Sequence, residues 1–131
     1  MLVVVLVFAL QVTGPSNSQL IAAIGQHESG GDDYAIKNGC YGYLQCKQVC
    51  VDDVNKFYHT SYKAQDTLGN RELSIKIFNQ YMALWSDKRH PNKMSKEEYM
   101  ARTWNGGPDG PRKKYTARYW RAVRQNMSPA R

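Results

Sequence analysis

The sequence predicts a mostly α-helical protein of one domain, with a small irregular loop or hairpin lobe after its first helix. Three observations support this fold class. Apolar residues recur at helical spacing in several segments, most clearly in residues 71–88. Gly, Asp, Asn and Tyr concentrate in residues 30–45, as is typical of a loop or short hairpin. The chain has 131 residues, of which 42% are hydrophobic, enough for one domain with a modest core.

The first predicted helix runs from residue 17 or 18, a polar N-cap, to Glu28. Gly30-Gly31 follows and is a signal for the end of a helix, so Glu28 falls in the last turn. The negative end of the helix dipole disfavours a carboxylate there, and burial would raise the carboxyl pKa in the same direction. A carboxyl that keeps its proton near neutral pH is suited to general acid catalysis. The plain alternative is a solvated glutamate at a frayed helix end.

The remaining elements follow from periodicity and from turn residues. A stripe of Ile77, Phe78, Tyr81, Met82 and Trp85 predicts core packing for the helix over residues 71–88. Turns are expected at residues 90–92, which contain a proline, and at the rigid segment 105–111. Three other helices are predicted: 49–58, with Val51, Val54 and Phe57 on one side; 95–104, with Ser95 as its cap; and 114–127.

The N-terminal residues 2–10 form an unbroken apolar run. This run is too short to span a bilayer but has the length of a signal-peptide core. We therefore expect residues 1–18 to be a signal peptide and residues 19–131 to be a single secreted, extracellular domain. The alternative is a buried N-terminal strand or helix. Secretion would place Cys40, Cys46 and Cys50 in an oxidising compartment, where one disulfide is possible and its pairing stays open.

The net charge of +7 favours a polyanionic partner such as nucleic acid, an anionic membrane or a bacterial wall with acidic polymers. No recognised nucleic-acid motif is present, so nucleic acid is not the expected partner, and neither is stable membrane insertion. The sequence predicts no metal site and no cofactor. We expect the last helix to dock on an anionic surface, because no acidic residue follows Asp109 whereas these cations do: Arg112, Lys113, Lys114, Arg118, Arg121, Arg124 and Arg131.

Two further segments contain residues suited to binding a sugar. Gln45 can fix a sugar amide or a water, and Gly42 before it lets backbone approach a ligand. Asn105 supplies a second amide, beside two glycines that begin with Gly106. Aromatic faces with polar edges suit pyranose rings, and the candidates are Tyr41, Tyr43, Trp104, Tyr119 and Trp120.

The order of these motifs resembles a known group, the lysozyme-like superfamily. The segment ESGGDDYAIKNGCYGYLQ resembles the first two motifs of lytic transglycosylases. The segment YMARTWNGGPDGPRKKYTARYWRAV resembles their third and fourth motifs, and it is also similar to the C-terminal segment of invertebrate-type lysozymes. The resemblance covers roughly residues 20–123.

The resemblance implies a lysozyme-like fold and a set of residue roles. Glu28 would be the catalytic acid, and Ser29 would support it at the substrate-binding cleft. Gln45 and Asn105 would hold N-acetyl or hydroxyl groups of the substrate. Tyr119 would line the cleft beside Glu28. Tyr43 and Gly106 lie within the same motifs and are expected to contact the substrate.

The chain also departs from both families. Invertebrate-type lysozymes have an additional Asp about a dozen residues after the Glu, and this chain has Cys40 in that neighbourhood. Asp32 and Asp33 are near but out of register, and whether Asp33 takes part stays open. Trp104 replaces the Tyr that is usual in the transglycosylase motif. We therefore expect a site with a single carboxylate.

The resemblance implies a secreted muramidase that cleaves the β-1,4 bond between N-acetylmuramic acid and N-acetylglucosamine in bacterial peptidoglycan. Water as the nucleophile gives hydrolysis, whereas the muramic 6-hydroxyl gives an anhydro product as in lytic transglycosylases. We favour hydrolysis. The alternatives are a lysozyme-like module that binds glycans without cutting them, and a cationic protein that acts on membranes or nucleic acid through its charge.

Overall fold

The computed structural model describes residues 17–86 and 93–127, and in these ranges it is mostly helical, which confirms the prediction of a mostly α-helical chain. A three-stranded antiparallel sheet follows the first helix, in the segment for which a loop or short hairpin was predicted. Short 3-10 turns cover Ala64–Thr67 and Gly110–Arg112. The helices are α1 (Asn17–Ser29), α2 (Gln48–Tyr58), α3 (Arg71–Trp85), α4 (Lys96–Gly106) and α5 (Lys114–Gln125), and the strands are β1 (Ile36–Lys37), β2 (Cys40–Tyr41) and β3 (Cys46–Lys47).

The small sheet has the strand order β1-β2-β3. Cys40 is opposite both Lys37 of β1 and Lys47 of β3, so these three side chains share one face of the sheet. The loop between β2 and β3 passes close to the Thr67 carbonyl oxygen, where a Cβ on Gly42 would lie 2.8 Å away. Gly42 also has a φ of 77°, so the loop requires glycine at this point.

The core takes side chains from α1, α2, α3, α4 and α5 and from the loop lobe. The predicted stripe on α3 is confirmed for Ile77, Phe78, Tyr81 and Met82, which are all buried. Trp104 of α4 meets the rings of Phe78 and Tyr81 edge-on, with centroids 5.1 and 5.8 Å away. Its indole N–H donates to the Leu44 carbonyl oxygen at 3.0 Å, which attaches α4 to the lobe that follows α1.

The predicted starts of α4 and α5 are correct, and their C-terminal ends each differ from the predictions by two residues. Ser95 caps α4 as predicted, because its hydroxyl accepts from the Glu98 N–H at 3.1 Å. The helix then continues through Asn105 and Gly106, which were expected in a turn, and ends at Gly107 with a φ of 82°. The last helix ends at Gln125 rather than Met127.

Phe57 departs from the predicted buried face of α2. Val51 and Val54 are fully buried, whereas Phe57 is 54% exposed. Residues three apart on an α-helix differ by about 60° in direction around its axis. Phe57, six residues after Val51, therefore points about 120° away from it. The third helix ends at Trp85, three residues before its predicted end. Residues 87–92, with the predicted proline turn, lie outside the described residues, as do residues 1–16 of the predicted signal peptide.

Candidate active site

Glu28 lies in the last turn of α1, where the sequence places it. The helix ends because Gly30 adopts a left-handed φ of 65°, and its N–H donates to the Gln26 carbonyl oxygen at 3.0 Å. This is the glycine-dependent helix end that Gly30-Gly31 predicted. The carboxyl therefore sits beside the negative end of the helix dipole.

The Glu28 carboxyl is partly buried, and this burial raises its pKa above the ordinary value. Four neighbours oppose the rise: the Tyr119 hydroxyl and the charges of His27, Lys47 and Lys37. Burial outweighs them, so the proton is retained to a higher pH than in an exposed glutamate. The environment suits a group that donates a proton during a reaction.

Tyr119 of α5 is buried beside this carboxyl. Burial raises the Tyr119 pKa well above its usual range, and the charge of Glu28 raises it further. The hydroxyl influences Glu28, yet no hydrogen bond of standard length and angle joins the two groups, and it has no other partner among the described residues. The His27 ring meets Tyr119 edge-on at 5.1 Å. Tyr119 thus adjoins Glu28 with a phenol still able to donate a hydrogen bond.

Ser29 and Gln45 make their hydrogen bonds inside the protein. The buried Ser29 hydroxyl lies 3.0 Å from the Gly25 carbonyl oxygen and 2.8 Å from that of Tyr43, and it donates to them. The buried Gln45 side chain donates from Nε2 to the carbonyl oxygens of Ala35 and Gly42, at 3.0 and 2.9 Å. Both residues use these bonds to hold α1 or its lobe in place.

The Tyr43 ring lies against α1 one turn before Glu28. It packs so tightly on Gly25 that a Cβ there would overlap the ring, and the Arg71 guanidinium carbon stacks 4.0 Å from the ring centre. Tyr43 also borders a cavity of about 640 Å³ whose lining includes Ile21 and Met82 but not Glu28. This cavity therefore does not bring Tyr43 together with Glu28 among the described residues.

Asn105 and Gly106 border a second cavity, of about 280 Å³, with Trp104 and Tyr115. The Oδ1 atom of Asn105 is buried and has no hydrogen-bond partner within residues 17–86 and 93–127. A buried acceptor without a donor is costly, so an incoming N–H group, such as that of an acetamido substituent, would stabilise it. Asn105 therefore combines an unpartnered buried acceptor with a place in the lining of this cavity.

Lys47 lies close to both parts of the candidate site, the Glu28 carboxyl and the cavity beside Asn105, and the sequence did not predict it. Its ammonium group donates to the Asn105 carbonyl oxygen at 3.2 Å, borders the smaller cavity and lowers the Glu28 pKa. Lys37 also approaches Glu28, with its ammonium 3.4 Å from the backbone carbonyl oxygen. Both lysines occupy the sheet face of Cys40, a placement that depends on strand register rather than on local composition.

The three cysteines are free thiols in this structure. Cys40 is partly exposed near Lys47 and Glu28, and burial raises its pKa. Burial also raises the pKa of Cys46 to about 12 and that of Cys50 to about 11. Cys40 is therefore a neutral group near Glu28 and does not replace a second carboxylate.

Within residues 17–86 and 93–127, no helix has the length and apolar character needed to cross a membrane. The same ranges contain no cluster of His, Cys, Asp or Glu side chains arranged to hold a metal ion. Comparison with known proteins matched no family model, no curated protein and no solved structure.

Proposed function

We propose that this protein is a secreted muramidase with a lysozyme-like fold that cleaves the β-1,4 glycosidic bond of bacterial peptidoglycan. The observation that carries the proposal is the partly buried Glu28 carboxyl with a raised pKa, beside the Tyr119 phenol and the Lys47 ammonium. The resemblance of the flanking segments to lytic transglycosylases and invertebrate-type lysozymes supports the same assignment.

In the proposed reaction, Glu28 donates its proton to the glycosidic oxygen and the leaving sugar departs. Asn105 binds an acetamido N–H through its unpartnered Oδ1, and Gly106 borders the same cavity. Lys47 stabilises the carboxylate that remains after proton transfer, which favours the transfer itself. Water then attacks the sugar and restores the proton to Glu28.

The substitution Glu28→Gln tests the proposal directly. It preserves the shape of the side chain but removes the transferable proton, so lysis of purified peptidoglycan should fall about 10²–10⁴-fold. Glu72→Gln is the matched control, because Glu72 is an exposed glutamate in the first turn of α3. Turbidity measurements on both variants, with circular dichroism to confirm folding, decide the matter. Retention of more than about a tenth of the activity by Glu28→Gln would remove Glu28 from the mechanism.

Two other outcomes would identify a different function. An intact wild-type protein that binds soluble glycan fragments but never shortens them is a glycan-binding module. A lytic transglycosylase would instead release anhydro-muropeptides, which are lighter than hydrolysis products by one water. We expect reducing ends that borohydride converts, and mass spectrometry of digested peptidoglycan distinguishes the two products.

A further inference from the structure

Arg71, the first residue of α3, reaches across to the turn that follows α1. Its Nε donates to one carboxylate oxygen of Asp33 at 2.8 Å, and its Nη2 lies 3.3 Å from the other. The same Nη2 donates to the Gly31 carbonyl oxygen at 3.0 Å. One guanidinium therefore binds both a side chain and the backbone of the turn, a fork geometry that lysine cannot reproduce.

The same guanidinium stacks on the Tyr43 ring, with its central carbon 4.0 Å from the ring centre. Tyr43 packs directly on Gly25 in α1, and its carbonyl oxygen accepts the Ser29 hydroxyl at 2.8 Å. Arg71 thus contacts two segments that border the last turn of α1: the turn after it and the lobe residue packed against it.

We propose that Arg71 is a positioning residue that clamps residues 30–33 and Tyr43 onto the end of α1, and so fixes the orientation of the Glu28 carboxyl. The inference rests on the proposed function for its catalytic consequence. It also assigns Asp33, which engages Arg71 through both carboxylate oxygens, to this clamp as its counter-ion rather than to the reaction as a second carboxylate.

The effect of the clamp is expected to be local. Arg71 and Asp33 are both partly exposed, and an ion pair in that setting adds little to global stability. A second tie, from the Gly69 N–H to the Asp33 carbonyl oxygen at 2.8 Å, does not involve the guanidinium and remains when Arg71 is replaced. Loss of Arg71 should therefore loosen the end of α1 without unfolding the protein.

The test compares Arg71→Ala, Arg71→Lys and Asp33→Asn with Lys76→Ala, which removes an exposed cation from the same helix. Carbon-13 NMR of the full chain follows the titration of the Glu28 carboxyl, with the Glu28→Gln variant identifying its signal. Turnover is measured on soluble peptidoglycan oligosaccharides, so that docking on the wall does not enter the comparison.

We expect Arg71→Ala to lower kcat about tenfold or more, because small misplacements of a reacting group are costly, while KM changes little. The Glu28 pKa should fall towards its ordinary value as water reaches the carboxyl, and the basic limb of the kcat profile should move to lower pH with it. Arg71→Lys should rescue little, whereas Asp33→Asn, which leaves the stacking and the Gly31 contact, should have a smaller effect. Lys76→Ala should match the wild type.

An unchanged Glu28 titration and unchanged kcat in Arg71→Ala would overturn the clamp. If the wild type cuts no glycan, the proposed function fails, yet the NMR titration still decides whether Arg71 positions Glu28. If Arg71→Ala does not fold, the Glu28 titration and kcat of Arg71→Lys and Asp33→Asn test the clamp instead.

Discussion

At the scale of single residues, the placement of Glu28 was predictable and its surroundings were only partly so. The glycine pair after it fixes the helix end from local sequence. The internal bonds of Ser29 and Gln45 and the approach of Lys47 depend on the register between β2 and β3. Register is set by pairing across the sheet, so no local pattern in these two-residue strands reveals it.

The raised pKa of Glu28 links stability to pH. An acid whose pKa is higher in the folded state than the ordinary 4.5 favours folding while protonated, and this contribution is lost as pH rises through the folded pKa. Glu28→Gln removes the ionisation, so the variant should be more stable than the wild type at neutral pH, and the difference should shrink below about pH 4.5.

Urea denaturation of both proteins at pH 4 and pH 7, with Glu72→Gln as the control, measures this effect. Equal stability differences at the two pH values would show that the carboxyl ionises as freely in the folded chain as in the unfolded one. Replacing a catalytic group commonly raises the stability of a fold, because the position that favours activity is often unfavourable for folding.

At the scale of elements, helical periodicity predicted every helix among the described residues, and the errors lie at their ends. Gly106 illustrates the reason. Its sequence context is typical of a turn, yet it remains helical because α4 packs closely on Thr116, where a Cβ on Gly106 would meet the threonine methyl group at 2.6 Å. Tertiary contact, which a single segment does not reveal, sets this boundary.

The close packing of α1 on the lobe gives a test at this scale. Gly25→Ala should destabilise the fold by about 1–3 kcal/mol, because the new methyl group overlaps the Tyr43 ring. Alanine favours helix over glycine by about 1 kcal/mol, so any loss of stability reports the contact itself. Gln26→Ala, at an exposed neighbouring position, should change stability far less. Chemical denaturation measures both, and a stabilised Gly25→Ala protein would contradict the packing described.

At the scale of the whole molecule, charge and packing divide α5 into two faces. Thr116, Tyr119 and Val123 are buried, whereas Arg118, Arg121 and Arg124 are exposed. The sequence predicted a cationic last helix, and the structure adds its division into a buried and an exposed face. The position of the buried face against Glu28 required the tertiary fold, because ninety residues separate Tyr119 from the end of α1.

The exposed arginines predict a salt-dependent activity on intact walls. Lysis should fall as salt rises, since the Debye length shrinks to about 8 Å at physiological ionic strength. Neutralising Arg118, Arg121 and Arg124 together to Gln should flatten this dependence. A triple Gln variant of Lys56, Lys63 and Lys76 removes the same charge elsewhere and should keep the wild-type slope. Turbidity assays across a salt series measure this dependence. An unchanged slope in the arginine variant would show that α5 does not dock on the wall.

The two faces of α5 also set a length scale for the proposed enzyme. A helix with its side chains is about 10–12 Å across, so the surface that attaches and the carboxyl that reacts are separated by little more than one helix. An enzyme held in this way would cut strands within a sugar or two of its point of attachment. Erosion of the polymer would then proceed from the outermost layer inwards, each cut removing the surface to which the molecule was bound.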